Sequence, residues 1–99
     1  PDKISELMMI SRPLKKTLKI IENSLITDNI EIVKEYNSDK KVSLFDNEIM
    51  QVFLNIFKNS QDNFRSLGNT DAKIYIKTYD THKGITIEIF DNGGGIDEE

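Results

Sequence analysis

The chain has 99 residues, which is enough for one compact domain and too few for two. Its 13 Lys and Arg against 17 Asp and Glu give a formal charge of −4. The sequence shows no basic cluster, so electrostatic binding to nucleic acid or anionic lipid is not expected. The absence of cysteine excludes a disulfide framework, a thiolate zinc site and a cysteine nucleophile. No apolar run is long enough to span a membrane, and the start at Pro1 suggests a piece of a longer protein.

Apolar spacing predicts two helices at the start of the chain. Ile4, Leu7 and Met8 follow helical spacing, which predicts that the first dozen residues end an amphipathic helix. Pro13 interrupts this helix, and a second helix is predicted from there to the turn residues at 27–29. Its apolar face repeats at i, i+4, i+7 and i+11, in Leu14, Leu18, Ile21 and Leu25.

Three stretches of alternating, β-branched residues predict strands over residues 30–36, 72–79 and 85–90. Residues 42–44 are expected to return as a short antiparallel partner of the first strand. Residues 80–84 are expected to join the last two strands as a hairpin loop. The order of helices and strands predicts an α+β fold. We expect a two-layer sandwich in which helices cover one face of a mixed, mainly antiparallel sheet.

A long helix is predicted from Asp46 to about Ser66, with Gly68 as the signal that ends it. The side chain of Asp46 is expected to accept hydrogen bonds from backbone amides of the first turn. Its apolar face is formed by Ile49, Val52, Phe53, Ile56, Phe57 and Phe64.

The same helix carries an unusual polar row. Asn55 and Asn59 stack at i and i+4, and Asp62 and Asn63 extend the row. Asparagine is unfavourable in the middle of a helix, and amide and carboxylate oxygens suit Mg²⁺. Spacing alone nevertheless favours the simpler interpretation that these are solvated residues with no special task.

The chain end provides a second signal. Asp91 directly follows a strand and is itself followed by Asn92 and three glycines. Glycines allow close approach to the main chain, and the carboxylate of Asp91 could accept a hydrogen bond from an amino group. The alternative is an ordinary tight turn. The glycine triplet is not a P-loop, because the lysine and the Ser or Thr of that motif are missing. His82 is expected at the surface, and the sequence offers no support for a Ser-His-Asp triad around it. No catalytic residue is therefore predicted in the chain.

Together the two signals resemble a known family. Residues 47–62 resemble the N box of sensor histidine kinases, and residues 91–96 resemble their first glycine box, of the form D-x-G-x-G. The resemblance implies the Bergerat ATP-binding fold of the GHKL superfamily, incomplete because the sequence ends before the lid and the second glycine box. It assigns residues 1–12 to the end of the dimerisation and phosphoacceptor helices. Residues 13–99 would form the N-terminal part of the ATP-binding domain.

The resemblance also implies a role for each site residue, with ATP and Mg²⁺ as cofactors. Asn59 would ligate the Mg²⁺ that bridges the phosphates, and Asp91 would accept the adenine amino group. Gly93 and Gly95 would let the backbone close around the base. The phosphate or base side of the pocket would be lined by Asn55, Asp62 and Asn63.

In the full-length protein, the resemblance implies transfer of the γ-phosphoryl group of ATP to a histidine of the kinase dimer and then to a response regulator. The expected partners are ATP, the phosphoacceptor helices and the response regulator, with no nucleic acid and no direct membrane contact. A cytoplasmic location is expected, within a parent protein that could be anchored in a membrane. This fragment alone is expected to be inactive.

Two other functions remain open. A hydrolytic relative is disfavoured because its water-activating Glu is replaced by Asn55, which cannot act as a general base. A non-catalytic interaction or dimerisation module on the same fold is the second alternative, since the apolar stripe at the start of the chain could need a partner helix.

Overall fold

Two helices and five strands make up the fold of the computed structural model, which describes residues 4–68 and 71–93. In chain order they are β1 (Glu6–Met9), α1 (Ser11–Thr27), β2 (Ile30–Asn37), β3 (Lys41–Leu44), α2 (Asp46–Leu67), β4 (Ala72–Thr81) and β5 (Gly84–Asp91). The predicted second helix, long helix and three main strands are confirmed. Gly68 ends α2 in the left-handed conformation, with φ of 67°, as the stop signal predicted.

The main sheet has the strand order β2-β4-β5, with β2 parallel to β4 and β4 antiparallel to β5. A separate pair, β1 with β3, is antiparallel. Both helices contribute to the hydrophobic core against one face of the main sheet, where Ile74 and Ile76 of β4 are fully buried. The predicted α+β sandwich with a mixed, mainly antiparallel sheet is therefore confirmed.

The helix expected at the start of the chain is wrong. Glu6–Met9 form a strand in which Leu7 is 65% exposed and Met8 is buried, the alternation of a strand. A short apolar run fits a helix or a strand equally well, and pairing with β3, far along the chain, decides between them. α1 begins at Ser11, so the expected domain boundary between residues 12 and 13 lies inside a helix. The assignment of residues 1–12 to a preceding domain stays a prediction.

The partner expected for residues 42–44 is also wrong. β3 pairs with β1, with Val42 opposite Met8, and β2 pairs instead with β4 along its whole length. The two parallel strands are joined across α2, a connection that local sequence does not reveal.

Two expectations for the long helix need correction. Phe45, in extended conformation, occupies the N-cap position, and Asp46 makes no capping hydrogen bond. The side chain of Asp46 instead pairs with Lys16 of α1. Val52, expected in the core, is 50% exposed, whereas Phe53 and Phe57 of the same face are buried.

In the described ranges neither helix combines the length and apolar character needed to span a membrane.

Candidate functional site

One flank of α2 is anchored to α1 by a group of polar side chains. Gln61, only 5% exposed, donates through Nε2 to Oδ2 of Asp28 at 2.8 Å and to Oγ of Ser24 at 2.9 Å. Arg65 donates through Nε to the same Oδ2 at 2.7 Å. The hydrogen bonds from Arg65 and Gln61 lower the pKa of Asp28 below its ordinary value. This group fixes the rotation of α2 about its axis, and sequence reasoning missed it because its members lie far apart in the chain.

The asparagine row lies away from this anchor. Asn55, Asn59 and Asn63 are all exposed, and among the described residues none of their side chains has a hydrogen-bond partner. Three unpartnered amides at spacings of four residues leave their oxygens available to a ligand. Spacing predicted the row, and the structure adds that no neighbouring side chain occupies it.

The end of β5 meets α2 at Gly93. A Cβ added to this glycine would lie 2.5 Å from Cε1 of Phe64 and 3.5 Å from Nδ2 of Asn63. Phe64 is buried in the core, so a side chain at position 93 would have to displace its ring or shift the backbone. The contact brings Gly93 to Asn63, the last residue of the asparagine row. Asn59 lies one turn earlier, about 6 Å along the helix axis.

Asp91 is placed on the same side of the sheet as α2. It lies opposite Ile74 in the β4–β5 register, and residues opposite one another share a face. Ile74 is fully buried beneath the helices. Oδ1 of Asp91 accepts the N–H of Gly93 at 3.0 Å, which holds the glycine backbone in place. Among the described residues, Oδ2 of Asp91 has no hydrogen-bond partner.

Asn92 holds the segment after β5 against the start of β4. Its Oδ1 accepts the N–H of Lys73 at 2.8 Å, and its Nδ2 donates to the carbonyl of Asp71 at 2.7 Å. Its own N–H donates to the carbonyl of Lys73 at 3.2 Å. Sequence reasoning treated Asn92 only as a turn residue. The structure shows that it fixes the position from which Asp91 and Gly93 approach α2.

The structure thus brings together Asn63, Asp91 and Gly93, and leaves other expected residues apart from them. Asp62 is exposed, and its one described ion pair is with Arg65 at 4.0 Å, on the helix itself. Gly95 lies outside the described residues. His82 is exposed in the β4–β5 hairpin, as expected.

The resulting arrangement has the chemistry of a polar ligand site. Asp91, at the strand end, has one carboxylate oxygen without a described partner, and exposed amide side chains continue along one helix. Asp91 can accept a hydrogen bond from an amino group, and the amide oxygens of Asn59 and Asn63 are hard ligands for Mg²⁺ or its bound waters. These residues therefore fit a magnesium nucleotide.

No protein-family model matches the chain, and no curated protein matches its sequence. Solved histidine kinase structures share its fold. The catalytic domain of histidine kinase ThkA has a TM-score of 0.78 at 18% identity, over 95% of this chain and 63% of that chain. Acinetobacter baumannii histidine kinase AdeS has a TM-score of 0.78 at 20% identity, over 99% of this chain and 47% of that chain.

ThkA in complex with the response regulator protein TrrA has a TM-score of 0.77 at 21% identity, over 95% of this chain and 27% of that chain. The chain spans less than two thirds of the length of each of these solved chains. The fold expected from the two sequence motifs is therefore confirmed as that of histidine kinase catalytic domains.

Proposed function

We propose that this chain is the N-terminal part of the ATP-binding catalytic domain of a sensor histidine kinase. Three observations support the proposal: the fold is shared with histidine kinase catalytic domains, the two sequence motifs resemble the family's boxes, and Gly93 of the second motif contacts α2 just after the first motif ends. The contact of Gly93 with Phe64, beside Asn63, carries the argument, because it joins the glycine box to the asparagine row.

Each residue has a role in this proposal. Asp91 accepts the adenine amino group through the carboxylate oxygen that Gly93 does not use. Gly93 gives the base access to the main chain, while Asn59 ligates Mg²⁺ and Asn55 and Asn63 flank the phosphates. The bound Mg²⁺ and ATP supply charge neutralisation and the phosphoryl group, and the residues of this chain supply position.

The finer parts of the proposal concern the full-length protein. We propose transfer of the γ-phosphoryl group to a histidine on the phosphoacceptor helices of the kinase dimer and then to a response regulator, in a cytoplasmic setting. Support comes from ThkA, which was solved in complex with the response regulator protein TrrA. Asn55 at the position of the hydrolytic Glu disfavours self-hydrolysis of ATP.

The proposal is tested by titrating Mg²⁺-ADP into the ¹⁵N-labelled chain and recording two-dimensional amide spectra. We expect saturable shifts at Asn59, Asn63 and Gly93, and their loss in the Asp91→Asn variant. Asp39→Asn is the matched control, since it makes the same charge change at an exposed turn residue away from the site.

Two outcomes would contradict the proposal. Shifts that persist unchanged in Asp91→Asn would show that the nucleotide binds elsewhere. Absence of binding at millimolar ligand, in a longer chain that continues past residue 99, would show that the fold has no nucleotide site. Millimolar affinity corresponds to about −4 kcal/mol, which sets the limit of the measurement.

A further inference from the structure

Two adjoining grooves along α1 bring basic side chains of β2 and β3 beside a row of basic residues on α1 itself. One groove, of about 510 Å³, lies between α1 and β1, and the other, of about 320 Å³, lies between α1 and β2. Lys15 and Lys16 line both grooves. The basic face, as we call it, consists of Arg12, Lys15, Lys16, Lys19, Lys34 and Lys41. Sequence analysis noted no basic cluster, although four of these six residues lie together at positions 12–19, and the fold adds Lys34 and Lys41 to them.

The basic face opposes the charge of the rest of the chain. Its six cations are accompanied by Glu22, which lines one groove, and by Asp46, which pairs with Lys16. The local charge is therefore +4. The other 7 basic and 15 acidic residues of the sequence carry −8. A face of +4 on a chain with a net charge of −4 is a strong local field that selects an acidic partner.

Most of these cations are free to bind. Within residues 4–68 and 71–93, Arg12, Lys19, Lys34 and Lys41 form no ion pair and no hydrogen bond through their side chains. Lys15 lies 5.8 Å from the centre of the Tyr36 ring, a weak cation–π contact. The desolvation cost of a new ion pair is small at such exposed groups, and no existing partner has to be displaced.

The grooves also offer apolar contacts. Leu7 lines the groove beside β1 and is 65% exposed, while Met8 and Leu18 are buried at the groove walls. Among the described residues β1 pairs only with β3, so no strand occupies its other edge. An open strand edge beside a groove accepts an extended segment through main-chain hydrogen bonds.

We propose that the basic face docks an extended, acidic segment of a partner protein whose carboxylates alternate with apolar side chains. This inference goes beyond nucleotide binding and does not depend on it. Leu7 offers an apolar contact beside the cations that line the same groove, which suits a segment that carries both apolar side chains and carboxylates. Grooves with apolar walls fit a single extended chain better than the plane of a lipid surface. The net charge of −8 on the residues outside the basic face repels a long nucleic acid.

The test measures fluorescence anisotropy of a fluorescein-labelled peptide of alternating Glu and Leu, about ten residues long. The same peptide with Lys in place of Glu, vesicles rich in phosphatidylserine and a short DNA duplex are measured in parallel. We expect saturable binding of the Glu peptide alone, weakening as salt is raised.

The test variant is Lys15→Glu/Lys19→Glu, and its matched control is Lys58→Glu/Lys83→Glu, which changes the net charge equally at exposed lysines outside the basic face. We expect the test variant to lose at least about tenfold in affinity and the control to change by less than about twofold. Circular dichroism verifies that both variants fold.

The proposal is overturned by any of three results. The two variants could weaken peptide binding equally, which would indicate a response to net charge alone. Vesicles or DNA could bind in place of the peptide and be lost in the test variant, which would assign the face to another partner class. Binding of none of the probes would show that the face does not dock this chemistry.

Discussion

Gly93 and Phe64 are in such close contact that no side chain fits between them. An ideal Cβ on Gly93 would lie 2.5 Å from Cε1 and 2.8 Å from Cδ1 of the Phe64 ring. The ring is only 4% exposed and belongs to the hydrophobic core. The candidate site therefore depends on a core residue, because Phe64 limits the position of Gly93, whose N–H donates to Oδ1 of Asp91.

Replacement of Gly93 by alanine is expected to destabilise the fold by about 1–3 kcal/mol, because the added methyl group overpacks the site. The chain end should shift away from α2, and Mg²⁺-ADP affinity should fall with it. Urea unfolding measures the first effect and nucleotide titration the second.

The double variant Gly93→Ala/Phe64→Leu provides the control. Phe64→Leu alone removes ring atoms from the core and should also destabilise. If the contact is the cause, the two substitutions together cost less than the sum of their separate effects. Strict additivity would show that Gly93 is required for another reason.

Asn59→Ala is expected to leave the free energy of unfolding within about 0.5 kcal/mol of the wild type, since the side chain is exposed and unpartnered among the described residues. Loss of a magnesium ligand should cost about 1.5–3 kcal/mol of ADP binding, and only when Mg²⁺ is present. Calorimetric titration with and without Mg²⁺ measures the difference. Lys58→Ala, the neighbouring exposed residue, should bind as the wild type does.

Thr78→Val is expected to stabilise the protein by about 1 kcal/mol. Oγ1 of Thr78 is fully buried on the core face of β4 and has no hydrogen-bond partner among the described residues. Thr17 is equally buried, but its Oγ1 donates to the carbonyl of Pro13 at 2.8 Å. Thr17→Val should therefore destabilise by a similar amount in urea unfolding. The same sign for both variants would contradict this account.

The hydrogen bonds of Asp28 with Gln61 and Arg65 should make the free energy of unfolding depend on pH in the acid range. Arg65 and Gln61 hold the pKa of Asp28 below its ordinary value of 3.8. A carboxyl group whose pKa is lower in the folded state stabilises the fold above its unfolded pKa. That contribution is lost as pH falls through the folded pKa. The free energy of unfolding should therefore fall more steeply from about pH 5 to about pH 2.5 in the wild type than in Asp28→Asn.

Asp39→Asn serves as the control for this pH series, since Asp39 is exposed and has no described partner. Its unfolding free energy should follow the wild-type slope. Equal slopes in all three proteins would show that Asp28 does not carry the effect.

The candidate site was predictable from the sequence where it depends on local pattern. The i, i+4 spacing of Asn55 and Asn59 puts them on one helix face, and Asp91 stands at the end of a predicted strand, so both features are visible in the chain itself. The contact of Gly93 with Phe64 and the hydrogen bonds of Asn92 to the start of β4 were not predictable. They join residues about 20 to 30 positions apart.

The sequence by itself determined most helices and strands and the two motifs, since hydrophobic period, turn residues and the stop at Gly68 act within a few residues. Only the tertiary structure decided that Glu6–Met9 form a strand, that β3 pairs with β1 and that Asp46 pairs with Lys16 instead of capping α2. It also brought Lys34 and Lys41 beside the four cations that α1 already carries. Each of these features arises from pairing between distant parts of the chain, which local preference does not encode.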